Sequence, residues 1–492
     1  VTPAPAAASA GQALGALELA AALRAGDIDP VEHTQSVLAD AQDAGRRVGA
    51  FAHVLQELSL QQAQDATDRL KTARSTGTIE ELAQQAPLLG VPLPIKDLTR
   101  VAGQPYTAGS AALAGTIADV TDGVAQSILD AGTVTIGKTS VPEFGMPCYT
   151  EPAIGDPART PWDLRRTAGG SSGGAAAAVA AGTVPIAHGS DGGGSVRIPA
   201  ACCGVLGIKP TRGLVSTGPY GAEGPGLVTE GMLARTVADL AAGLDVIAGP
   251  RPGDAFSAQM PADGFLAAAQ APDHSERPLR FGVLTEPLNT VTDIHPAALR
   301  GLERAIQVLQ GLGHEAVPIP APFTPQQWRA FMPLWTVGAA SIDLPPEAEP
   351  LLLELTRWLR EQGRGYDGVA VTKALAGMQL VARRAGEAFA GFDAILTPSL
   401  SGPPAFPADL QLADGAADFA AQCAFTPWTS TWNMTGCAAI SVPIHRERID
   451  GIELPFGVHI GAVRPGDDAL LLRIAALLER HDPWPLITRP QP

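Results

Sequence analysis

Residues 169–182 read Gly-Gly-Ser-Ser-Gly-Gly-Ala-Ala-Ala-Ala-Val-Ala-Ala-Gly, and no other stretch narrows the range of folds as much. Alanine is the strongest helix former, so the Ala run makes a helix, and its small side chains leave it slim enough to sit deep in a core. Four glycines around Ser171 and Ser172 let backbones pack closely and permit dihedrals or strained peptides closed to other residues. Taken alone, the segment also reads as a tight turn entering a helix. With 492 residues, 46% of them hydrophobic and 17% charged, the chain can bury one very large core or two ordinary ones.

Around this segment the chain alternates between two patterns. Short β-branched runs (133–136, 184–187, 205–208) alternate between 85 and 250 with Ala-rich helical stretches at 124–131 and 237–248. That alternation predicts α/β architecture with a largely parallel, covered sheet. Upstream, 12–75 reads as helices, with Leu14, Leu17, Ala21 and Leu23 near one face and Asp29-Pro30 opening the next helix. Pro, Gly, Asp and Ser dominate 250–292, which predicts a surface excursion before a strand at 279–284. Helices follow near 296–312, 348–362 and 369–389, strands return at 394–397, 439–443 and 452–460, and a last helix spans about 467–480. There is no internal repeat. Late strands can complete a sheet begun before 250. The expectation is therefore one large α/β domain with a central mixed, mostly parallel sheet covered by helices on both faces. Residues 1–75 form a helical segment packing on the core, and 76–492 form the α/β domain.

Charge sets the partner classes. The 34 basic and 50 acidic side chains leave a net charge of -16, and no run of Lys and Arg interrupts it. A polyanion is repelled over most of such a surface, so nucleic acid and anionic membranes are not expected partners. Five cysteines (Cys148, Cys202, Cys203, Cys423, Cys437) lack zinc-site spacing and read as free buried thiols in a reducing compartment. Nowhere do 18 apolar residues run together, and the first ten residues have neither a basic nor an apolar signal region. A cytoplasmic location is expected, although a signal peptide already removed would leave the same Pro/Ala lead. Monomer and homodimer are both open.

Three further segments combine glycine or proline with chemistry-bearing residues. Gly132-x4-Gly137-Lys138-Thr139 matches a phosphate-binding loop in letters only. A helix precedes it, its interior is strand-like, and Pro142 follows closely, so nucleotide binding is not expected. In 189–199, three glycines precede Ser195 and offer successive backbone N–H groups as a nest for a developing oxyanion, with Pro199 suited to the first turn of a short helix. Asp191 and Arg197 read as structural partners, because buried opposite charges pair. In Pro92-Leu93-Pro94-Ile95-Lys96-Asp97 a lysine stands in a Pro-bounded apolar strand, where an ammonium is unwelcome unless it snorkels to the surface.

Together these segments resemble the amidase signature family over most of the chain. The resemblance runs through 90–97, Gly109-Ser110, Gly137-Lys138-Thr139, Glu143-Phe144-Gly145, 169–174, 191–200, 204–213 and 393–398. It is carried by the order of these pieces and by the 24-residue step from Ser171 to Ser195. It implies that Ser195 is the nucleophile, that Ser171 has a cis peptide and relays the proton, and that Lys96 is the terminal base. It further implies an oxyanion hole from the N–H groups of Gly192, Gly193, Gly194 and Ser195, a supporting Ser172, and no metal or organic cofactor.

The chemistry is coherent in its own right. A serine hydroxyl needs a neighbouring base, and Ser–Lys pairs are a known alternative to histidine. The lysine must be neutral, so its pKa must fall from about 10.4 by roughly 3 units, on the order of 4 kcal/mol, which apolar burial supplies.

Members with this Ala-rich helix and Asp-Gly-Gly-Gly-Ser look like aryl acylamidases and hydrolases of aminohexanoate oligomers or urethanes. Candidates for an elongated apolar pocket are Phe144, Tyr149, Trp335 and Cys437, together with Tyr106, Trp162, Trp328 and Phe331, each of which core packing also explains. Thr160-Pro161 replaces the usual Asn-Pro, and Gly436-Cys437-Ala438-Ala439 the usual Gly-x-Pro-Ala, which predicts a changed substrate channel at both places. The rivals are the glutaminase component of a tRNA-dependent amidotransferase (its A subunit) and a non-catalytic binding protein on the same scaffold. The former typically continues Ser-x-Arg with Gln-Pro, where this chain has Ile198-Pro199, and carries Leu-Asp-Gln-x-Gly-Pro where it has 228–233, Val-Thr-Glu-Gly-Met-Leu.

Overall fold

Two sheets carry the residues singled out above. In the computed structural model, which describes residues 14–271 and 277–485, a small sheet joins β1 (Phe51–Val54), β2 (Ile95–Lys96) and β3 (Gly137–Thr139) in the order β1-β3-β2. The Pro/Ala lead and residues 272–276 of the predicted excursion lie outside the described residues. The large sheet contains β4 (Ile186–Asp191), β5 (Leu206–Lys209), β6 (Thr229–Ala234), β7 (Arg280–Val283), β8 (Glu315–Pro318), β9 (Ala394–Pro398), β10 (Ala439–Ile449) and β11 (Ile452–Ala462). Their order is β4-β6-β5-β10-β11-β9-β7-β8, so the late strands do join the early ones in a single mixed sheet.

The mostly parallel character expected for that sheet does not hold. Only β7–β8 and β7–β9 are parallel, and every other neighbouring pair is antiparallel. The physical reason is connectivity. Strands β10 and β11 form a hairpin through Asp450-Gly451, both at positive φ, and a tight hairpin can only run antiparallel. Hydrophobic runs reported burial on both faces correctly, since β4 and β9 are buried at every position, but burial does not encode direction.

Two local expectations also shift. The helical 12–75 segment is interrupted by β1 between the helices Pro30–Arg47 and Gln56–Thr76, and β1 pairs with β3. The strand expected at 133–136 forms at Gly137–Thr139, and Val134 makes an isolated bridge to Pro92.

The Ala-rich segment forms the helix Gly173–Ala180, buried at every residue, within a cluster that includes Val37, Val48, Val134, Ile136, Val184 and Leu233. Its close approaches explain the glycines before it. A Cβ on Gly170 would lie 2.6–2.7 Å from backbone atoms of Tyr149. No helix among the described residues is long and apolar enough to cross a membrane.

Candidate active site

The site forms where the small sheet meets β4. Strand β2 pairs in parallel with β3 and is tied to β4 by the amide of His188, which donates to the carbonyl of Pro94 at 3.1 Å. This places Lys96 in the core, with no solvent exposure. Its Nζ donates to the carbonyl of Ser190 at 3.0 Å and lies 2.9 Å from Ser171 Oγ. Burial pulls the amine down to about 7, against the raising influence of Glu230 and Asp191. A neutral amine has a lone pair free for the Ser171 proton while still donating to Ser190.

Two other lysines are as deeply buried. Lys138 is paired with Asp97 at 2.9 Å, and Lys209 donates to the carbonyl of Pro210 at 2.7 Å. Burial lowers Lys209 to about 7 as well. Of these three, Lys96 is the one hydrogen-bonded to a hydroxyl whose residue borders a described cavity, so burial alone would not have distinguished it.

The Gly170–Ser171 peptide is cis. Ser172 donates its backbone N–H to Ser195 O at 3.0 Å and its hydroxyl to Ser190 O at 3.3 Å, so the same carbonyl receives Lys96 and Ser172. Ser171 and Ser195 both line a chamber of about 530 Å³.

Ser195 itself sits on a turn braced from below. Asp191 accepts from the amides of Gly194 (2.8 Å) and Val196 (3.1 Å), from Asn433, and from Arg197 through Nε and Nη2, both at 2.9 Å. Arg197 fills its other donor positions with Thr429 O, His459 Nε2 and Asn433 Oδ1, so all five of its N–H groups have partners. The Asp191 carboxyl is held below the usual carboxylate range: desolvation opposes this but is outweighed by Arg197 and Asn433. Gly194 has φ of 133°, and a Cβ there would strike Thr429 and Ile198.

That brace corrects the predicted oxyanion hole. The Gly194 N–H is spent on Asp191, because the carboxylate folds back over the turn three residues on. Among the described residues no hydrogen bond uses the amides of Gly192, Gly193 or Ser195. Thr429 Oγ1 donates to Gly193 O at 2.6 Å and so orients the adjoining peptide.

A second, smaller cavity of about 70 Å³ also reaches Ser195. It is lined by Gly192, Gly193, Met146, Ile198, Trp328, Phe331, Trp335 and Phe419 among others. Trp335 borders both cavities, and Phe144 borders the chamber. Tyr149 and Cys437 do not belong to either. Tyr149 is buried and donates its hydroxyl to Asp418 at 2.6 Å, and Cys437 is buried with its thiol toward the carbonyl of Val463. Thr160 is likewise a core residue, donating to Cys202 O at 2.8 Å, so neither departure from the family pattern lines either cavity. Trp162 is spent on Cys203 O. Sequence reasoning missed Met146, which directly follows Glu143-Phe144-Gly145, the chamber's Glu230, which lies within 228–233, and Phe419, which stands in no motif.

The family model described as Amidase matches residues 32–472. This chain belongs to the amidase family. The amidase is 35% identical over 484 residues to the Synechocystis sp. protein named "Putative amidase", spanning 95% of this chain and 88% of that one. It is 34% identical to the A subunit of the glutamyl-tRNA(Gln) amidotransferase from Deinococcus radiodurans, over 94% of this chain and 96% of the relative. Among solved structures, it resembles 6-aminohexanoate cyclic dimer hydrolase in complex with substrate, with a TM-score of 0.84, 29% identity and 96% and 98% of the two chains covered. A bacterial aryl acylamidase superposes with a TM-score of 0.83 at 25% identity over 96% of each chain. The amidase is thus a hydrolase of amides on a single α/β domain.

Proposed function

We propose that this amidase cleaves linear carboxamides through an acyl-enzyme on Ser195. Ser195 Oγ attacks the carbonyl carbon while its proton passes to Ser171 Oγ and that of Ser171 to Lys96 Nζ. The proton then returns through Ser171 to the leaving nitrogen, the C–N bond breaks, and water releases the acid. The observation that carries this reading is the fully buried Lys96 amine 2.9 Å from Ser171, a serine sharing its chamber with Ser195. The amides of Gly192, Gly193 and Ser195 are the donors available to the oxyanion.

The two cavities support a division of the substrate. Ser171 faces the chamber and not the smaller slot, so the nitrogen that receives its proton points into the chamber. The acyl group then occupies the slot, where Trp328, Phe331, Trp335 and Phe419 favour a slender apolar or aromatic group. Aryl and alkyl amides fit this arrangement, as do oligoamides and carbamates of the same shape. The net charge of -16 favours small or oligomeric amides over nucleic acid, and five free cysteines favour a reducing, cytoplasmic setting.

The glutaminase component of a tRNA-dependent amidotransferase is the second reading, because such relatives match nearly the full chain. Ile198-Pro199 and residues 228–233 of this chain lack the residues that accompany it. A panel of anilides, aliphatic amides, oligoamides, esters and carbamates, with a glutaminase assay with and without partner proteins, separates the two. Turnover of anilides or apolar amides by the chain alone supports the hydrolase; glutaminase activity confined to a complex overturns it.

A further inference from the structure

Strand β6 brings a carboxylate to Lys96 that the motifs leave unexplained. Register pairs Glu230 with Ser190, the residue whose carbonyl receives the Lys96 amine. Glu230 Oε2 lies 2.9 Å from His188 Nε2, and His188 Nδ1 accepts the backbone N–H of Lys96 at 3.3 Å. Because Nδ1 is an acceptor, the ring proton resides on Nε2 and is donated to Glu230, which fixes a neutral tautomer. His188 is fully buried, whereas the Glu230 side chain is 19% exposed and borders the chamber shared by Ser171 and Ser195.

The charges around Lys96 single out Glu230. Asp97, next along β2, is matched by Lys138, and Asp191 on β4 is matched by Arg197. Among the described residues, the ion-pair contact of Glu230 is with His188 alone, which is neutral in this tautomer. Of these three carboxylates, the one without a cationic partner among the described residues borders the chamber of Ser171 and Ser195.

We propose that Glu230, acting through His188, is a positioning residue for Lys96: it anchors the strand that presents the amine, and its charge sets the pH above which the amine is a base. This rests on the reading of Lys96 as the terminal base. A negative charge nearby favours the protonated amine, so removing it lets the amine lose its proton at lower pH.

The test is the pH dependence of kcat/KM for Glu230→Gln and Glu230→Asp, with Glu230→Ala in place of the glutamine variant if that does not fold. The neutral variant is expected to move the acid limb down by roughly half a unit or more, and the aspartate variant to restore it toward wild type. His188→Gln is expected to lower kcat with little change in KM, because it disturbs the strand and not substrate contacts. A limb that superimposes on wild type in the neutral variant overturns the proposal. So does a rise in KM alone, which would make Glu230 a substrate-binding group. Lys96→Ala is measured in parallel: retained activity there overturns the Lys96 reading itself, whereas an inactive Lys96→Ala with an unmoved limb in the glutamine variant overturns only the role of Glu230.

Discussion

Lys96 Nζ lies 2.9 Å from Ser171 Oγ in a place that water does not reach, and burial brings the amine down to about 7. As the proposed terminal base, Lys96 is active only when neutral. Activity therefore requires loss of this proton, and kcat/KM is expected to fall about tenfold per pH unit below a midpoint near 7. Lys96→Ala is expected to lose roughly 10³-fold or more in kcat across the range, as removal of a member of such a catalytic unit does. Steady-state kinetics from pH 5 to 9 check both, the range spanning about two units either side of that midpoint.

The same burial has a cost in stability. The unfolded chain holds its lysine proton up to about 10.4, while the folded site gives it up near 7, so folding releases a proton between these values and stability rises with pH there. Lys96→Met removes the buried amine and is expected to raise the melting temperature at pH 7, with a gain that shrinks as pH approaches 10. Calorimetry of both proteins over that range measures it. A methionine variant less stable than wild type at neutral pH would contradict the placement of the amine.

Asp191 and Arg197 are each wholly buried, and the charge of each is matched by the other through two hydrogen bonds. Removing one leaves an uncompensated charge in the core. Arg197→Met is expected to lower stability by about 3–5 kcal/mol in urea unfolding, a cost typical of breaking one side of a buried pair. Because Asp191 also holds the amides of Gly194 and Val196, the variant should lose turnover under conditions where it remains folded. Unchanged kinetics in the folded variant would show that the turn does not need the brace.

What the sequence disclosed follows from locality. The Ala-rich helix, the glycines beside Ser171 and Ser195, and the Asp191–Arg197 pair are set within a few residues of one another, and each was legible as a pattern. Lys96 was legible as a lysine in apolar company, although Lys138 and Lys209 are buried too and only assembly shows which one meets a hydroxyl. Strand direction was missed although Asp450-Gly451 is a two-residue hairpin signal, because the buried stretches 439–444 and 454–462 carry no direction of their own. Tyr149 and Cys437 misled because closeness to a motif in sequence does not decide which way a side chain points. The Gly194 amide misled because the same turn that exposes amides brings back a carboxylate to take one.

The slot gives the specificity prediction. Trp335→Ala and Phe419→Ala enlarge an apolar cavity against which the acyl group is proposed to pack. Each is expected to lower kcat/KM for aromatic acyl groups by about 10- to 200-fold, the range that small changes in apolar contact command. Varying the amine should show little dependence on Phe419, which lines the slot and not the chamber. A matrix of acyl and amine variants against both enzymes checks this. Equal sensitivity of amine and acyl series to Phe419→Ala would reverse the assignment of the two cavities.

The central claim is that Ser195 carries the acyl group. Intact-protein and peptide mass spectrometry after rapid mixing with a slowly deacylated anilide tests it most directly. The expected result is a mass increase equal to the acyl group, located on Ser195, absent in Ser195→Ala and preserved to a small extent in Lys96→Ala. An acyl group on Ser171, Ser172 or a cysteine, or turnover by Ser195→Ala near the wild-type rate, would contradict it.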